Sequence, residues 1–306
     1  MNNPILAFSA RRRMRSVRTP LLITLYALIL AVIAYLTIYA CFLQPTFTLT
    51  DMQNGAYGYI AILALQFALI VLVAPAMTAG SVSGERERQT LDLLLVTNIN
   101  PVRLVLGKLL ESFGFLALLV VSSLPVMSMA VLTGAAELTD VLMSAAFLLV
   151  TALELLSLGM FFSSLIKRTV TSTVVTYLAV FGLGVITLLP LYYDTKRISD
   201  LYDIMLSASS YYSASEALML DYVPISFVVN PMMGLLALIQ TQTASVGQFL
   251  WQLSYTLGNT VDYLHYNRMY LYNMACMAGV SIVLTALSAL LMRAGRGGMK
   301  GRRRHA

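Results

Sequence analysis

Charged residues, cysteine and histidine are all scarce in this chain. Asp, Glu, Lys and Arg make up only 11% of its 306 residues, against roughly 25% in a soluble globular domain. Two cysteines and two histidines provide neither a disulfide framework nor a metal-binding cluster. The sequence has no Gly-x-x-x-x-Gly-Lys-Ser/Thr loop, so we expect no ATP hydrolysis by this chain alone. No nucleophile is paired with a base, which argues against an intramembrane enzyme.

Hydrophobic residues are abundant, at 58% of the chain. Apolar segments of about 20 or more residues can each cross a hydrocarbon core of roughly 30 Å as a helix. Because these segments are apolar on every face, barrel strands with their alternating pattern are not expected. We therefore predict an all-α integral membrane protein with six transmembrane spans, at residues 20–43, 56–79, 112–136, 141–166, 169–193 and 269–292.

The basic residues are distributed unevenly between the connections. Of the 20 Lys and Arg residues, all except Lys196, Arg197 and Arg268 fall on one side of the predicted spans. The positive-inside rule then places both termini in the cytoplasm. Residues 1–19 predict an interfacial amphipathic helix. The basic tail 293–306 is expected to face anionic lipid headgroups of the bilayer or solvent, with no nucleic acid as a partner.

A long segment, residues 194–268, is predicted to form an external loop. Its middle, Tyr222–Gln240, is apolar enough to suggest a seventh crossing. Pro224 and the Asn230-Pro231 pair would interrupt a helix there, and a seventh crossing would put the basic tail outside. A re-entrant or interfacial helical hairpin before the last span is the preferred interpretation.

One charged segment, residues 80–111, separates two apolar spans and must fold outside the lipid. Glu85-Arg86-Glu87-Arg88 cannot enter the hydrocarbon, and Thr90–Val96 combines helix formers with an apolar leucine edge. Asn100-Pro101 provides an N-cap followed by a proline at the first helical position. We predict a short cytoplasmic helix over about Glu85–Val96, joined rigidly to two spans so that it can act as a lever. An ordinary solvated loop is the alternative.

The same segment resembles the cytoplasmic coupling segment of ABC-2 type transporter permeases. In that family, the second span is typically followed by Gly-Glu-Arg-x-x-x-Thr-Leu-x-x-Leu-Leu and then by a Gly-Lys pair that opens the third span. The matching residues here are Gly84, Glu85, Arg86, Thr90, Leu91, Leu94, Leu95, Gly107 and Lys108. The Asn-Pro start with its basic segment, the Phe161-Phe162-Ser163-Ser164 end of span four and the Asn230-Pro231 pair are also similar.

This resemblance implies the permease subunit of an ATP-binding cassette exporter in a bacterial plasma membrane. It implies a second permease, either an identical copy or a paralogue. It also implies an ABC ATPase subunit that carries ATP and Mg, while this chain binds no cofactor and no metal. A non-transporting membrane scaffold or assembly factor with the same fold is the alternative. The residues expected to contact the ATPase are Glu85, Arg86, Arg88, Thr90, Leu91, Leu94 and Asn98.

Glu154, Thr173 and Thr176 are candidates for the translocation path. Glu154 lies near the middle of the predicted fourth span, where an ionised carboxylate costs about 2.5–3.5 kcal/mol. It either contacts the path or makes a packing hydrogen bond to a Ser or Thr of a neighbouring helix. The resemblance implies that spans two and five line the path, so packing is preferred for Glu154, whereas both threonines belong to span five.

Overall fold

The computed structural model is helical through most of its described residues, which are 24, 26, 28–36, 39, 49–89, 101–132, 134, 136–186, 228–242 and 269–302. Residues 28–36 form a first helical segment, α1. The helices that follow are α2 (Leu49–Thr78), α3 (Ser83–Glu87), α4 (Pro101–Met127), α5 (Met129–Leu132), α6 (Leu138–Leu165), α7 (Thr169–Ile186), α8 (Pro231–Gln242) and α9 (Met269–Arg302). These ranges contain no β-strand, which confirms the all-α class.

Within the described residues, helical segments long and apolar enough to cross a membrane overlap predicted spans two to six. They are Ala56–Glu87, Pro101–Leu132, Leu138–Leu165, Thr169–Ile186 and Met269–Arg293. Half of the predicted first span, 20–43, lies outside the described residues, as do the whole interfacial helix 1–19 and most of the loop 194–268. The count of six spans and the orientation of the chain therefore stay predictions.

Several helices extend beyond the apolar segments that predicted the spans. α2 begins at Leu49 rather than at residue 56, and α4 begins at Pro101 rather than at residue 112. Hydrophobicity marks the part of a helix that lies in lipid, whereas the helical hydrogen bonds continue into polar flanks. Pro101 suits the first helical position, where its missing N–H would have no partner within the helix.

The packing divides the chain into two compact units, residues 1–180 with 278–306, and residues 181–277. In the first unit, α2, α4 and α6 pack against one another. Leu63, Leu116 and Phe147, one from each helix, are fully buried. The hydroxyl of Tyr59 on α2 lies 2.7 Å from the Oγ of Ser144 on α6. These three helices form the core from which the charged segment after α2 emerges.

In the second unit, Asn230 opens α8 and ties it to two other helices. Its Oδ1 accepts a hydrogen bond from the Met232 N–H at 2.8 Å, which is an N-cap interaction, and Pro231 follows at the first helical position. Its Nδ2 donates to the Leu183 carbonyl at 3.2 Å, and Asn273 Nδ2 donates to the Asn230 carbonyl at 3.0 Å. The Asn-Pro pair therefore has a structural role at this helix start.

The length of α8 bears on the choice between a hairpin and a seventh crossing. α8 has 12 residues, which corresponds to about 18 Å of helix. A hydrocarbon core of roughly 30 Å requires more than that. Because residues 243–268 and those before residue 228 in this loop lie outside the described residues, the choice between a hairpin and a seventh crossing stays a prediction.

Candidate functional site

The charged segment after α2 folds as a tight structure, here called the elbow and defined as residues 79–89. α2 ends at Thr78, residues 79–82 form a turn, and α3 adds five helical residues. The Gly84 N–H donates to the Gly80 carbonyl at 3.0 Å, and the Arg88 N–H donates to the Gly84 carbonyl at 3.1 Å. The chain therefore stays folded beyond the apolar part of α2.

The end of α6 holds the start of α3. The Oγ of Ser163 accepts hydrogen bonds from the N–H groups of Val82, at 2.9 Å, and Ser83, at 3.0 Å. All three residues are buried, and N–H groups at a helix start have no partner within their own helix. Arg86 Nη2 donates to the Ser164 carbonyl at 3.3 Å, where the negative end of the α6 dipole favours a cation. The two serines of the Phe-Phe-Ser-Ser motif thus attach the end of α6 to the elbow, and we call this contact the clamp.

The start of α7 contacts another part of the elbow. The Ser172 hydroxyl donates to the Ala79 carbonyl at 2.7 Å, and the Thr169 hydroxyl donates to the Glu87 carboxylate. A Cβ added at Gly80 would lie 2.9 Å from Cγ2 of Thr169. The close approach of α7 therefore leaves no room for a side chain at Gly80 unless Thr169 shifts.

A lysine from α4 provides a third attachment. Lys108 Nζ lies 2.6 Å from Oε1 of Glu85, and the two side chains are only 16% and 26% exposed. Lys108 also donates to the Ser81 carbonyl. Because partly buried charges are screened less than exposed ones, this ion pair is a firmer link than a surface pair. Lys108, the second residue of the Gly-Lys motif, thus connects α4 to both the turn and α3.

α2 and α6 come unusually close immediately before the elbow. A Cβ added at Gly159 of α6 would lie 2.3 Å from Oγ1 of Thr78 and 3.2 Å from the backbone N of Ala79. Real side chains do not tolerate the first of these distances, and the second involves backbone, which cannot rotate away. The absence of a side chain at Gly159 therefore allows the close contact that brings Ser163 within reach of the elbow.

An apolar cluster lies against these polar contacts. It joins the elbow to residues of α4, α6 and α9 within the first unit. Its buried members are Val82, Leu104, Val105, Leu109, Met160, Ala289 and Met292. Val82 is completely buried, so moving the elbow away from these helices would expose apolar surface.

Three of the seven residues predicted to contact an ATPase belong to the described elbow. Glu85 and Arg86 are half-buried, and both contribute to the attachments of the elbow itself. Arg88 is exposed. The other four predicted contacts lie outside the described residues; they are Thr90, Leu91, Leu94 and Asn98.

The short helix predicted over about Glu85–Val96 is interrupted within its described part, and Thr90–Val96 lie outside the described residues. α3 ends at Glu87, and Gln89 has a φ of 56°. A left-handed residue at this position ends a helix, and a side chain other than glycine makes that conformation cost about 1–2 kcal/mol. Gln89 therefore interrupts the predicted helix at the elbow's exposed end.

The structure places the three path candidates in α6 and α7. Glu154 is 3% exposed, and its Oε2 has no hydrogen-bond partner among the described residues. The hydroxyls of Thr173 and Thr176 donate to carbonyls one turn earlier in α7, at 3.0 Å and 2.7 Å. Such hydrogen bonds satisfy a hydroxyl within its own helix. A role of these residues in translocation stays a prediction.

Sequence reasoning missed the contacts that Ser163, Thr169 and Ser172 make with the elbow. Val82 and Ser163 are 81 positions apart, and no local periodicity connects positions so distant. The available signal was the clustering of Ser and Thr around the short basic turn between α6 and α7. Hydroxyl groups at helix ends are suited to the unsatisfied backbone groups of a neighbouring turn.

Together these features define a multi-pass α-helical membrane protein in which a charged elbow is fixed to the ends of several long helices. The family model described as ABC-2 family transporter protein matches residues 43–290. This match covers most of the 306 residues, so the chain belongs to that family of membrane permeases, as the motifs predicted. Membership generally implies association with an ABC ATPase subunit. A search of the curated proteins finds no match.

Proposed function

We propose that this chain is the permease subunit of an ATP-driven exporter in a bacterial plasma membrane. Separate ABC ATPase subunits would bind ATP and Mg, and a second permease, identical or paralogous, would complete the translocation path. The observation that carries this proposal is the elbow, a charged segment attached to three long helices. Family membership supports the pairing with an ATPase.

The attachments of the elbow suit the transmission of force. Ser163 on α6 accepts a hydrogen bond from Val82 at the start of α3, and Lys108 on α4 forms an ion pair with Glu85. Ser172 on α7 donates a hydrogen bond to the turn. Each of these three helices contacts a different part of the elbow. A push on the elbow therefore moves the ends of these helices together instead of bending a flexible loop.

The surface offered to an ATPase combines charge with apolar anchors. Glu87, Arg88 and Gln89 are exposed at the end of the elbow and would orient the contact. Leu91 and Leu94 are proposed as its apolar anchors, on the basis of the sequence. Burying one leucine in such a contact stabilises it by roughly 1.5–3 kcal/mol, so removing one anchor would weaken docking about tenfold or more.

Co-purification tests this proposal directly. Candidate ABC ATPase subunits are tagged and co-expressed with the chain, and the retained complex is assayed for ATP hydrolysis. We expect the wild-type chain to be retained and Leu91→Asp either to release the ATPase or to uncouple ATP hydrolysis from transport. Leu91→Met keeps an apolar side chain of similar size and should behave as wild type, as should the conservative change Thr133→Ser.

Three results would contradict the proposal. If the Leu91→Asp variant assembles with the ATPase and couples hydrolysis to transport as well as the wild type does, the charged segment is an ordinary loop. A stable complex whose ATP hydrolysis moves no substrate would instead favour the scaffold interpretation. Hydrolysis by the rigorously purified chain without any partner would contradict the division of labour between permease and ATPase.

A further inference from the structure

An apolar groove runs between α4 and α9 in the first unit. It has a volume of about 560 Å³, is open on one side, and is lined almost entirely by apolar atoms. α4 contributes Val102, Leu106 and Leu110, and α9 contributes Ile282, Ala286 and Leu290, among others. Such a volume is within the range of pockets that hold small molecules, roughly 300–1,000 Å³.

The hydroxyl-bearing residues of the groove do not make it polar. Ser281 is 1% exposed. The Thr285 hydroxyl donates to the Ser281 carbonyl at 2.7 Å, so it is satisfied within α9. A ligand in this part of the groove therefore meets hydrocarbon, which favours an acyl chain over a polar molecule.

Charge is confined to one end of the groove. Arg293 lines it where α9 leaves the apolar part of its sequence, and Arg103 follows the lining residue Val102 in the first turn of α4. Both arginines are exposed. By the positive-inside rule these helix ends face the cytoplasm, so the basic end lies at the level of the lipid headgroups.

The length of the groove fits one leaflet of a bilayer. From Ser281 to Arg293, α9 rises by about 18 Å at 1.5 Å per residue. Half of a hydrocarbon core of roughly 30 Å is about 15 Å. A groove of this length, apolar along its sides and basic at one end, matches the shape and charge of one phospholipid chain with its phosphate.

We propose that the α4–α9 groove binds an anionic phospholipid of the cytoplasmic leaflet. One acyl chain lies between Leu106 and Ala286, and the phosphate lies at Arg293. The groove shares Val105, Leu109 and Ala289 with the apolar cluster that contacts the elbow. Lipid occupancy would therefore stiffen the support of the elbow. The proposal depends on the predicted orientation of these helices and does not depend on transport.

Native mass spectrometry of the full chain in detergent tests this inference. The probes are phosphatidylglycerol and phosphatidylcholine with the same acyl chains, titrated separately. We expect the wild-type chain to retain one phosphatidylglycerol in preference to phosphatidylcholine. Arg293→Gln should weaken phosphatidylglycerol binding about fivefold, the loss expected for one basic residue near a membrane surface. Ala286→Trp should fill the groove and lower retention of both lipids.

Matched variants separate the groove from the rest of the surface. Leu287→Trp adds the same side chain on α9 outside the lining residues, and Arg168→Gln removes an exposed arginine elsewhere. Neither should alter lipid retention. Glycerol 3-phosphate, which has the charge but no acyl chain, should not compete. If Ala286→Trp does not yield monodisperse protein, Ala286→Phe replaces it.

The inference is overturned by any of three results. The first is equal retention of the two lipids by the wild-type chain. The second is unchanged phosphatidylglycerol binding in Arg293→Gln, and the third is unchanged binding in every folded variant at Ala286. The last result would indicate that a second protein chain or a transported molecule occupies the groove instead of a lipid.

Discussion

Replacing Ser163 by alanine should loosen the elbow without disturbing the helix that carries the serine. The Ser163 Oγ accepts two backbone hydrogen bonds, from the N–H groups of Val82 and Ser83. Ser163→Ala removes this acceptor and leaves both buried donors without it. Alanine is also the better helix former, so α6 itself should not be weakened.

The expected magnitude follows from the number of hydrogen bonds. A typical intramolecular hydrogen bond contributes about 1 kcal/mol, and leaving a buried donor unsatisfied costs about 1–3 kcal/mol. Loss of both bonds should therefore destabilise the elbow by at least about 2 kcal/mol. Local opening would then become roughly 30 times more frequent.

Hydrogen exchange followed by mass spectrometry measures this opening directly, because protected amides exchange only when their hydrogen bonds break. Peptides covering residues 79–89 should exchange faster in Ser163→Ala than in wild type. Ser157→Ala is the matched control: Ser157 lies on the same helix and is equally buried, but its hydroxyl donates only to the Glu154 carbonyl, at 2.7 Å. Equal exchange of the elbow in the two variants would refute the assignment of Ser163 as a clamp.

Three further predictions concern the neighbouring contacts and the topology. Gly159→Ala should separate α2 from α6 and lower stability by about 1–3 kcal/mol through overpacking, measured by unfolding in detergent. Lys108→Glu should destabilise the elbow and Glu85→Lys in the same chain should restore it, with a coupling energy of about 0.5–3 kcal/mol in the double-mutant cycle. In a chain without native cysteines, an impermeant maleimide should label Asp200→Cys but not Lys300→Cys in intact cells.

Each of these predictions has a defined counter-result. Gly114→Ala is the control for Gly159→Ala, since a Cβ at Gly114 meets nothing within 4 Å. Equal losses of stability in the two variants would show that close packing at Gly159 is not the cause. Additive effects of the two charge reversals would show that Lys108 and Glu85 do not interact. Labelling of both cysteines from the same side would overturn the six-span topology.

The membrane helices were predictable because their signal is local and long. A long run without charged residues, such as 112–136, predicts a membrane-spanning helix whatever its neighbours are. The polar residues that extend α2 back to Leu49 were not predictable in this way. Hydrophobicity indicates which residues lie in lipid and does not indicate where the helix begins. The confirmed family assignment likewise relied on local motifs in the coupling segment.

The internal construction of the elbow was less predictable. Its position followed from charge, but its attachments join residues that are distant in sequence, and one chain provides no pattern linking Ser163 to Val82. The interruption at Gln89 was missed because glutamine gives no signal for a left-handed conformation, which glycine and asparagine normally adopt.

The distance in sequence between Val82 and Ser163 also has a consequence for biosynthesis. Ser163 is added to the growing chain 81 residues after Val82. At about 5–20 residues per second, this interval lasts roughly 4–16 s. During that time the elbow has been synthesised while its serine acceptor has not yet been made. The final shape of the elbow must therefore form late, after α6 has been synthesised and has packed against α2.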